Sequence, residues 1–185
     1  MTKQKAYVIG TNASSSLSPA IFLYWFEKYK IDYAEYGYKE IDEKNFDKEI
    51  KLILKEENLI GLNITIPYKE KIYFYIDNKK SLIPSIDGIP QVKNPPINCI
   101  TLRKAHEAGY VYRIHGKNTD GVGFHNALNG AVTSNWDLKD KKCAIVLGYG
   151  GAAKAIIDEL KTDSSFARIM VFNRTFDKIK KLKEK

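Results

Sequence analysis

Cysteine is scarce in this chain, with only Cys99 and Cys143 among 185 residues. Neither belongs to a metal or redox motif, so a disulfide scaffold or a zinc ribbon has no support. Both sit among apolar neighbours and are expected to be reduced core residues. Long hydrophobic runs are missing as well; the longest fall far short of a bilayer span. Met1-Thr2-Lys3-Gln4-Lys5 leads straight into a strand pattern rather than a signal-peptide core, so a cytoplasmic protein with no membrane partner is expected. The Asn-x-Ser/Thr tripeptides at Asn12, Asn63 and Asn173 are then chance matches. His106, His115 and His125 show no metal spacing, and HExxH and GxSxG are absent. Metallohydrolase and serine-hydrolase chemistry are therefore unsupported, and no metal is expected.

Acidic residues fall short of basic ones, leaving a formal net charge of +8. Half of that excess lies in the last eight residues, where five lysines face Glu184 alone. These lysines alternate with Ile179 and Leu182 at helical spacing, as on a solvated amphipathic face. Elsewhere the basic residues are scattered, without a zinc-finger, homeodomain or RNP pattern, so no specific nucleic acid is expected as partner. The tyrosines, twelve in all, read as core and surface packing.

What is present is a steady alternation of strand and helix patterns. Strands are expected at Ala6–Gly10, Ala34–Ile41 and Ile60–Ile66, and as a pair at Asn98–Leu102 and Tyr110–His115. Helices are expected at Pro19–Tyr29, where Ile21, Phe22, Trp25 and Phe26 repeat with helical period, at Phe46–Lys55, from about Lys69 to Tyr75, and at Asp120–Leu128. Residues 77–96, broken by Pro84, Pro90, Pro95 and Pro96, read as irregular. After the polar stretch Thr133–Lys142 a second block begins: strand Cys143–Leu147, helix Gly151–Leu160, strand Arg168–Phe172, and a further helix opening at Thr175. The pattern predicts an α/β protein with a mostly parallel sheet. Its domains are expected at 1–130 and 131–185, the second an incomplete Rossmann-type unit, because that fold normally runs on for several more strands.

The segment Gly61-Leu62-Asn63-Ile64-Thr65-Ile66-Pro67-Tyr68-Lys69 carries the most chemistry. Strand side chains alternate, so Asn63 and Thr65 share one face while Leu62, Ile64 and Ile66 share the other. Pro67 stops the strand and Lys69 follows at once. Two short polar groups and an ammonium at a strand end suit a small polyhydroxylated ligand. A strand end that is merely polar is the plain alternative. Gly116-Lys117-Asn118-Thr119-Asp120-Gly121 starts a helix, capped by Thr119 or Asn118. Asp120 would stand near a strand end, where Lys69 also arrives in a parallel sheet. A buried lysine–carboxylate pair is costly and tends to persist where chemistry needs it.

Ser14-Ser15-Ser16-Leu17-Ser18-Pro19 lies between the first strand and first helix. Ser18 can cap that helix with Pro19 at its first position. A carboxylate at the same N-terminus would use the same geometry, with Ser16 and Ser18 hydroxyls as extra donors. Gly148-Tyr149-Gly150-Gly151-Ala152-Ala153 follows a strand and opens a helix. Its first glycine permits the tight turn, the second lets a pyrophosphate approach, and Ala153 takes the third small position. At the next strand end stands Asn173-Arg174-Thr175, where an NAD site would usually show a carboxylate. A guanidinium and a hydroxyl suit the 2′-phosphate of NADP; a plain surface arginine is the alternative.

In this order the motifs resemble the shikimate dehydrogenase family, with its quinate/shikimate relatives, from Tyr7 to the end of the chain. The resemblance implies a two-domain enzyme that reversibly reduces 3-dehydroshikimate to shikimate with NADPH, in aromatic amino-acid biosynthesis by way of chorismate. It implies that Ser16 and Ser18 bind the substrate carboxylate, that Asn63, Thr65, Asn98 and Asp120 hold ring hydroxyls, and that Lys69 and Asp120 form the catalytic pair. Gly148, Gly150, Gly151, Ala152, Asn173, Arg174 and Thr175 would hold NADP. A monomer or homodimer is expected. Cys99 replaces the family's usual threonine after the asparagine, and an acidic residue is more usual near Ser81. Two other readings stand beside this one: a non-catalytic binding module that keeps the polyol pocket, and a quinate-preferring or NAD-using relative.

Overall fold

A computed structural model describes residues 2–76, 95–104, 112–131, 142–180 and 182. Ser81, His106, most of the proline-broken stretch and the last lysines lie outside these residues. The chain divides into two compact units, Met1–Lys117 and Asn118–Lys185.

The first unit runs β1 (Gln4–Gly10), α1 (Ser18–Lys28), β2 (Ala34–Glu40), α2 (Phe46–Ile53), β3 (Leu59–Ile64), β4 (Cys99–Lys104) and β5 (Tyr112–Lys117). The strands form one sheet in the order β2-β1-β3-β4-β5. β2, β1 and β3 are parallel, and the β4–β5 hairpin adds antiparallel pairs on the β3 side. The expected α/β class with a mainly parallel sheet is what the chain adopts.

Period-two alternation decides which face is covered. Ile9, Leu62, Ile64 and Ile100 are buried in the hydrophobic core, together with Phe46, Ile50 and Ile53 of α2. Each such side chain contributes about 1.5–3 kcal/mol when fully buried, enough to fix an eight-residue helix of weak intrinsic stability. The strand register places Tyr36, Asn63 and Cys99 on the other face. There α1 lies against the sheet, with Phe22 stacked on Tyr36 at 3.9 Å between ring centroids. No side chain of α1 is fully buried, and Ile21 and Trp25 of the expected apolar face stand exposed. A helix that is apolar on every side gives its sequence no clear inward stripe.

β3 ends at Ile64, not Ile66; Ile66 is exposed and the Ile66–Pro67 peptide is cis. The helix expected from Lys69 is a 3-10 turn at Lys71–Tyr75.

The second unit contains α3 (Asp120–Ala131), β6 (Lys142–Leu147), α4 (Gly151–Thr162) and β7 (Phe166–Phe172), with β6 and β7 parallel. The second compact unit includes α3, which packs on α4. At their contact a Cβ on Gly121 would come within 2.5 Å of the Ala155 carbonyl oxygen. One face of the strand pair is partly covered at Ala144, Val146, Ile169 and Val171, while Ile145, Leu147 and Phe172 are exposed on the other. Cys143 shares that exposed face and is not a core residue. Parallel strands are usually covered on both sides; here the described residues cover one. The helix expected at Thr175 is a 3-10 turn, Phe176–Lys178. Among the described residues no helix is long and apolar enough to cross a membrane.

Candidate active site

The serine loop is built from its buried end outward. Beyond β1, Ala13 is fully buried. The Ser14 N–H and hydroxyl both donate to the Glu40 carboxylate at the end of β2. Those two donors hold Glu40 below its usual carboxylate range. With the turn anchored, Ser16 stands at the entry to α1. Its Oγ accepts from the Ser18 N–H at 3.2 Å. Ser16 therefore supplies the side-chain acceptor that had been expected from Ser18. Ser18 already lies in the first turn, and its orphan N–H is satisfied from two residues back.

From there a line of hydrogen bonds crosses three elements. Ser16 Oγ donates to Ser18 Oγ at 3.1 Å, and Ser18 bonds the Tyr36 phenol. Tyr36 donates to Asn63 Oδ1 at 2.7 Å, and Asn63 Nδ2 donates to the Asn98 carbonyl at 3.4 Å. Burial pushes the Tyr36 phenol up to about 12, so it keeps its proton at neutral pH. Asn98 is fixed by its backbone: its carbonyl also accepts from Ile64, and its N–H donates to Lys117. Four residues expected at the site, Ser16, Ser18, Asn63 and Asn98, are thus brought together. Tyr36, which joins them, was not among the expected residues.

Thr65 and Lys69 follow on the same connection. The Thr65 N–H donates to Ile9 at 2.9 Å, and its carbonyl accepts from Tyr68 at 3.0 Å. Tyr68 is fully buried, stacks on Phe46 at 4.2 Å and donates its phenol to the Ile41 carbonyl. The next residue, Lys69, is half-buried, and its carbonyl accepts from Ile97 at 2.7 Å. The main chain under the lysine is therefore held on both sides. Gly10 is a further contributor that sequence reasoning passed over: a Cβ there would come within 2.4 Å of Thr65 Cγ2. A glycine ending a strand was the one available sign.

In the second unit Asp120 opens α3, and its N–H donates to Asn118 Oδ1 at 2.9 Å. A carboxylate in the first turn is favoured by the helix dipole. Between β6 and α4, Gly148 has φ +103°, a conformation that favours glycine. Gly150 has an ordinary extended backbone, and a Cβ there would meet nothing within 4 Å. Among the described residues, neither conformation nor internal packing calls for glycine at 150. The helix then starts with Gly151 and Ala152. Asn173 ties the ends of both strands together, accepting from the Tyr149 N–H at 3.1 Å and donating to the Thr175 carbonyl at 2.7 Å. Arg174 and Thr175 are exposed beside this tie. An open glycine turn at a helix N-terminus, with a cation at the next strand end, fits a dinucleotide carrying an extra phosphate.

An α/β unit with polar groups at its strand ends, followed by a Rossmann-type strand–glycine turn–helix, defines the class. Residues 8–88 match the family described as the shikimate dehydrogenase substrate binding domain. The chain is 33% identical over 181 residues to the shikimate dehydrogenase (NADP(+)) of Caldicellulosiruptor bescii, covering 98% of this chain and 56% of that protein. It is 34% identical over 178 residues to shikimate dehydrogenase of Thermotoga petrophila, covering 96% and 58%. The crystal structure of shikimate dehydrogenase from Aquifex aeolicus superposes with a TM-score of 0.71 at 27% identity, covering 98% of this chain and 60% of that one. The chain is similar to shikimate dehydrogenases, its residues 8–88 matching their substrate binding domain. It spans just over half the length of these relatives.

Proposed function

We propose that the protein is an NADP-dependent shikimate dehydrogenase, interconverting 3-dehydroshikimate and shikimate on the route through chorismate to aromatic amino acids. The observation that carries this reading is the line of polar groups from Ser16 to Asn98, on the sheet face opposite the hydrophobic core. The similarity to shikimate dehydrogenases supports the same reading.

In this mechanism the Ser16 and Ser18 hydroxyls turn outward to donate to the substrate carboxylate, at the positive end of α1. Asn63, Thr65 and Asn98 hold ring hydroxyls, with Asp120 contributing a carboxylate acceptor. Bound NADP(H) supplies or takes up the hydride. Gly148, Gly150, Gly151 and Ala152 hold its pyrophosphate, and Asn173, Arg174 and Thr175 its 2′-phosphate. In the reducing direction negative charge grows on the ketone oxygen, which needs a proton donor and a nearby cation. Lys69 provides both, and Asp120 orients the lysine and the reacting hydroxyl. The protein acts in the cytoplasm, as a monomer or homodimer, without nucleic-acid or membrane partners.

The test is NADPH formation from shikimate and NADP+, compared between the protein and Lys69→Ala. Loss of a positioned proton-transfer group lowers turnover about 10²–10⁴-fold, with shikimate binding retained. Turnover left nearly intact in Lys69→Ala sinks the role of the lysine. Shikimate binding with no NADPH formed by the unmodified protein points instead to the non-catalytic binding module.

A further inference from the structure

We propose that Tyr36 is a positioning residue for the substrate, fixing the Asn63 amide as a hydrogen-bond donor toward the ligand. This rests on the functional reading above and extends it to a residue that does not itself carry out the reaction.

Three observations lead there. First, the phenol proton is committed to Asn63 Oδ1 at 2.7 Å, so that oxygen is turned toward β2. The amide then has only Nδ2 to offer elsewhere; one of its protons goes to the Asn98 carbonyl and the other is left to donate. Second, the phenol's own proton goes to Asn63 Oδ1 and not to the serine end, where Ser16 donates to Ser18. When a carboxylate draws the serine protons outward, Tyr36 keeps its proton on Asn63. The amide orientation therefore survives the change at the serine end. Third, the ring is held independently of the hydroxyl, stacked on Phe22 with planes 3° apart. Its position does not depend on the hydrogen bond it makes.

The consequence is a rule for the ligand. The hydroxyl that meets Asn63 must accept there and pass its own proton on to another acceptor. Without the phenol the amide can turn over and present its oxygen in place of a donor.

Shikimate titrated calorimetrically into the 185-residue chain tests this. Tyr36→Phe keeps the stacked ring and is expected to weaken shikimate about tenfold, the worth of one hydrogen bond of ordinary strength. Asn63→Ala is expected to weaken it at least as much, and adding Tyr36→Phe to it is expected to cost nothing further. Phe22→Leu, which loosens the stack and spares the phenol, is expected to weaken shikimate less than Tyr36→Phe does. Full additivity of the two losses, or a Phe22→Leu loss equal to that of Tyr36→Phe, overturns the positioning role in favour of a structural one. Unchanged affinity in Tyr36→Phe overturns it outright. No shikimate binding by the unmodified chain overturns the functional reading, and this inference with it.

Discussion

Gly10 and Thr65 are packed so closely that a single methyl group cannot be placed between them. A Cβ on Gly10 would stand 2.4 Å from Thr65 Cγ2 and 3.2 Å from the Ile66 carbonyl oxygen. Gly10→Ala is expected to push Thr65 off the end of β3 at a cost of about 1–3 kcal/mol in stability. Shikimate affinity should fall together with it. Urea unfolding measures the first quantity and titration the second; full stability with full affinity would mean that Thr65 is not held by this contact.

That pair also shows where sequence reading stops. Leu62 and Ile64 against Asn63 and Thr65 were legible because alternation is local: one face meets a core and the other does not. The glycine turn after β6 and the Asn118 side chain at the start of α3 were legible for the same reason, since each is settled within a few residues. Gly10 and Tyr36 were not. Their roles arise from β1 lying between β2 and β3, which is a fact of strand order rather than of spacing. Tyr36 was assigned to packing, and its ring does pack, on Phe22. Its hydroxyl reaches across β1 to Asn63, and nothing near residue 36 announces that. Cys143 was expected in a core because its sequence neighbours are apolar, yet the strand pair leaves its face exposed.

Gly121 plays in the second unit the part that Gly10 plays in the first. A Cβ on it would lie 2.5 Å from the Ala155 carbonyl oxygen and 3.2 Å from Glu159 Cβ. The nearest atom is helix backbone, which cannot swing aside as a side chain can. Gly121→Val is expected to part α3 from α4 and destabilise the second unit by about 1–3 kcal/mol or more. Hydrogen exchange should show faster amides in α3 and α4, with those of β1 and β3 unchanged. Equal acceleration throughout would show that the loss is not confined to this helix pair.

Acid should act on this same helix pair. The Ser165 hydroxyl, the Ser165 N–H at 2.9 Å and His125 at 2.8 Å all bond the Asp163 carboxylate, which is lowered from 3.8 to about 2. A carboxylate depressed in the folded state adds stability above its unfolded value. That contribution drains away as pH falls through the folded value. The window is therefore from about pH 4 down to about pH 2. Asp163→Asn keeps an acceptor for Ser165 and removes the titration, so its stability should change less across that window. Parallel acid limbs in the two proteins would show that the bonds to Asp163 do not strengthen on folding.

Arg174, just beyond the end of β7, carries the sharpest test of the proposed cofactor site. It is exposed, next to the Asn173 side chain that ties the β6 and β7 ends together. Removing a charge-assisted hydrogen bond to phosphate costs about 1.5–3 kcal/mol, or roughly 10–100-fold in affinity. The proposed site thus predicts that Arg174→Ala weakens NADP+ by that factor and leaves NAD+ nearly unchanged, since NAD+ lacks the phosphate the guanidinium would meet. Arg174→Asp should go further and reverse the preference, placing a like charge against the phosphate and an acceptor against the ribose hydroxyls. The ratio of the two affinities, measured by fluorescence titration, is the quantity to follow. If both nucleotides weaken equally, Arg174 serves the loop rather than the phosphate, and the preference for NADP must come from elsewhere in the chain.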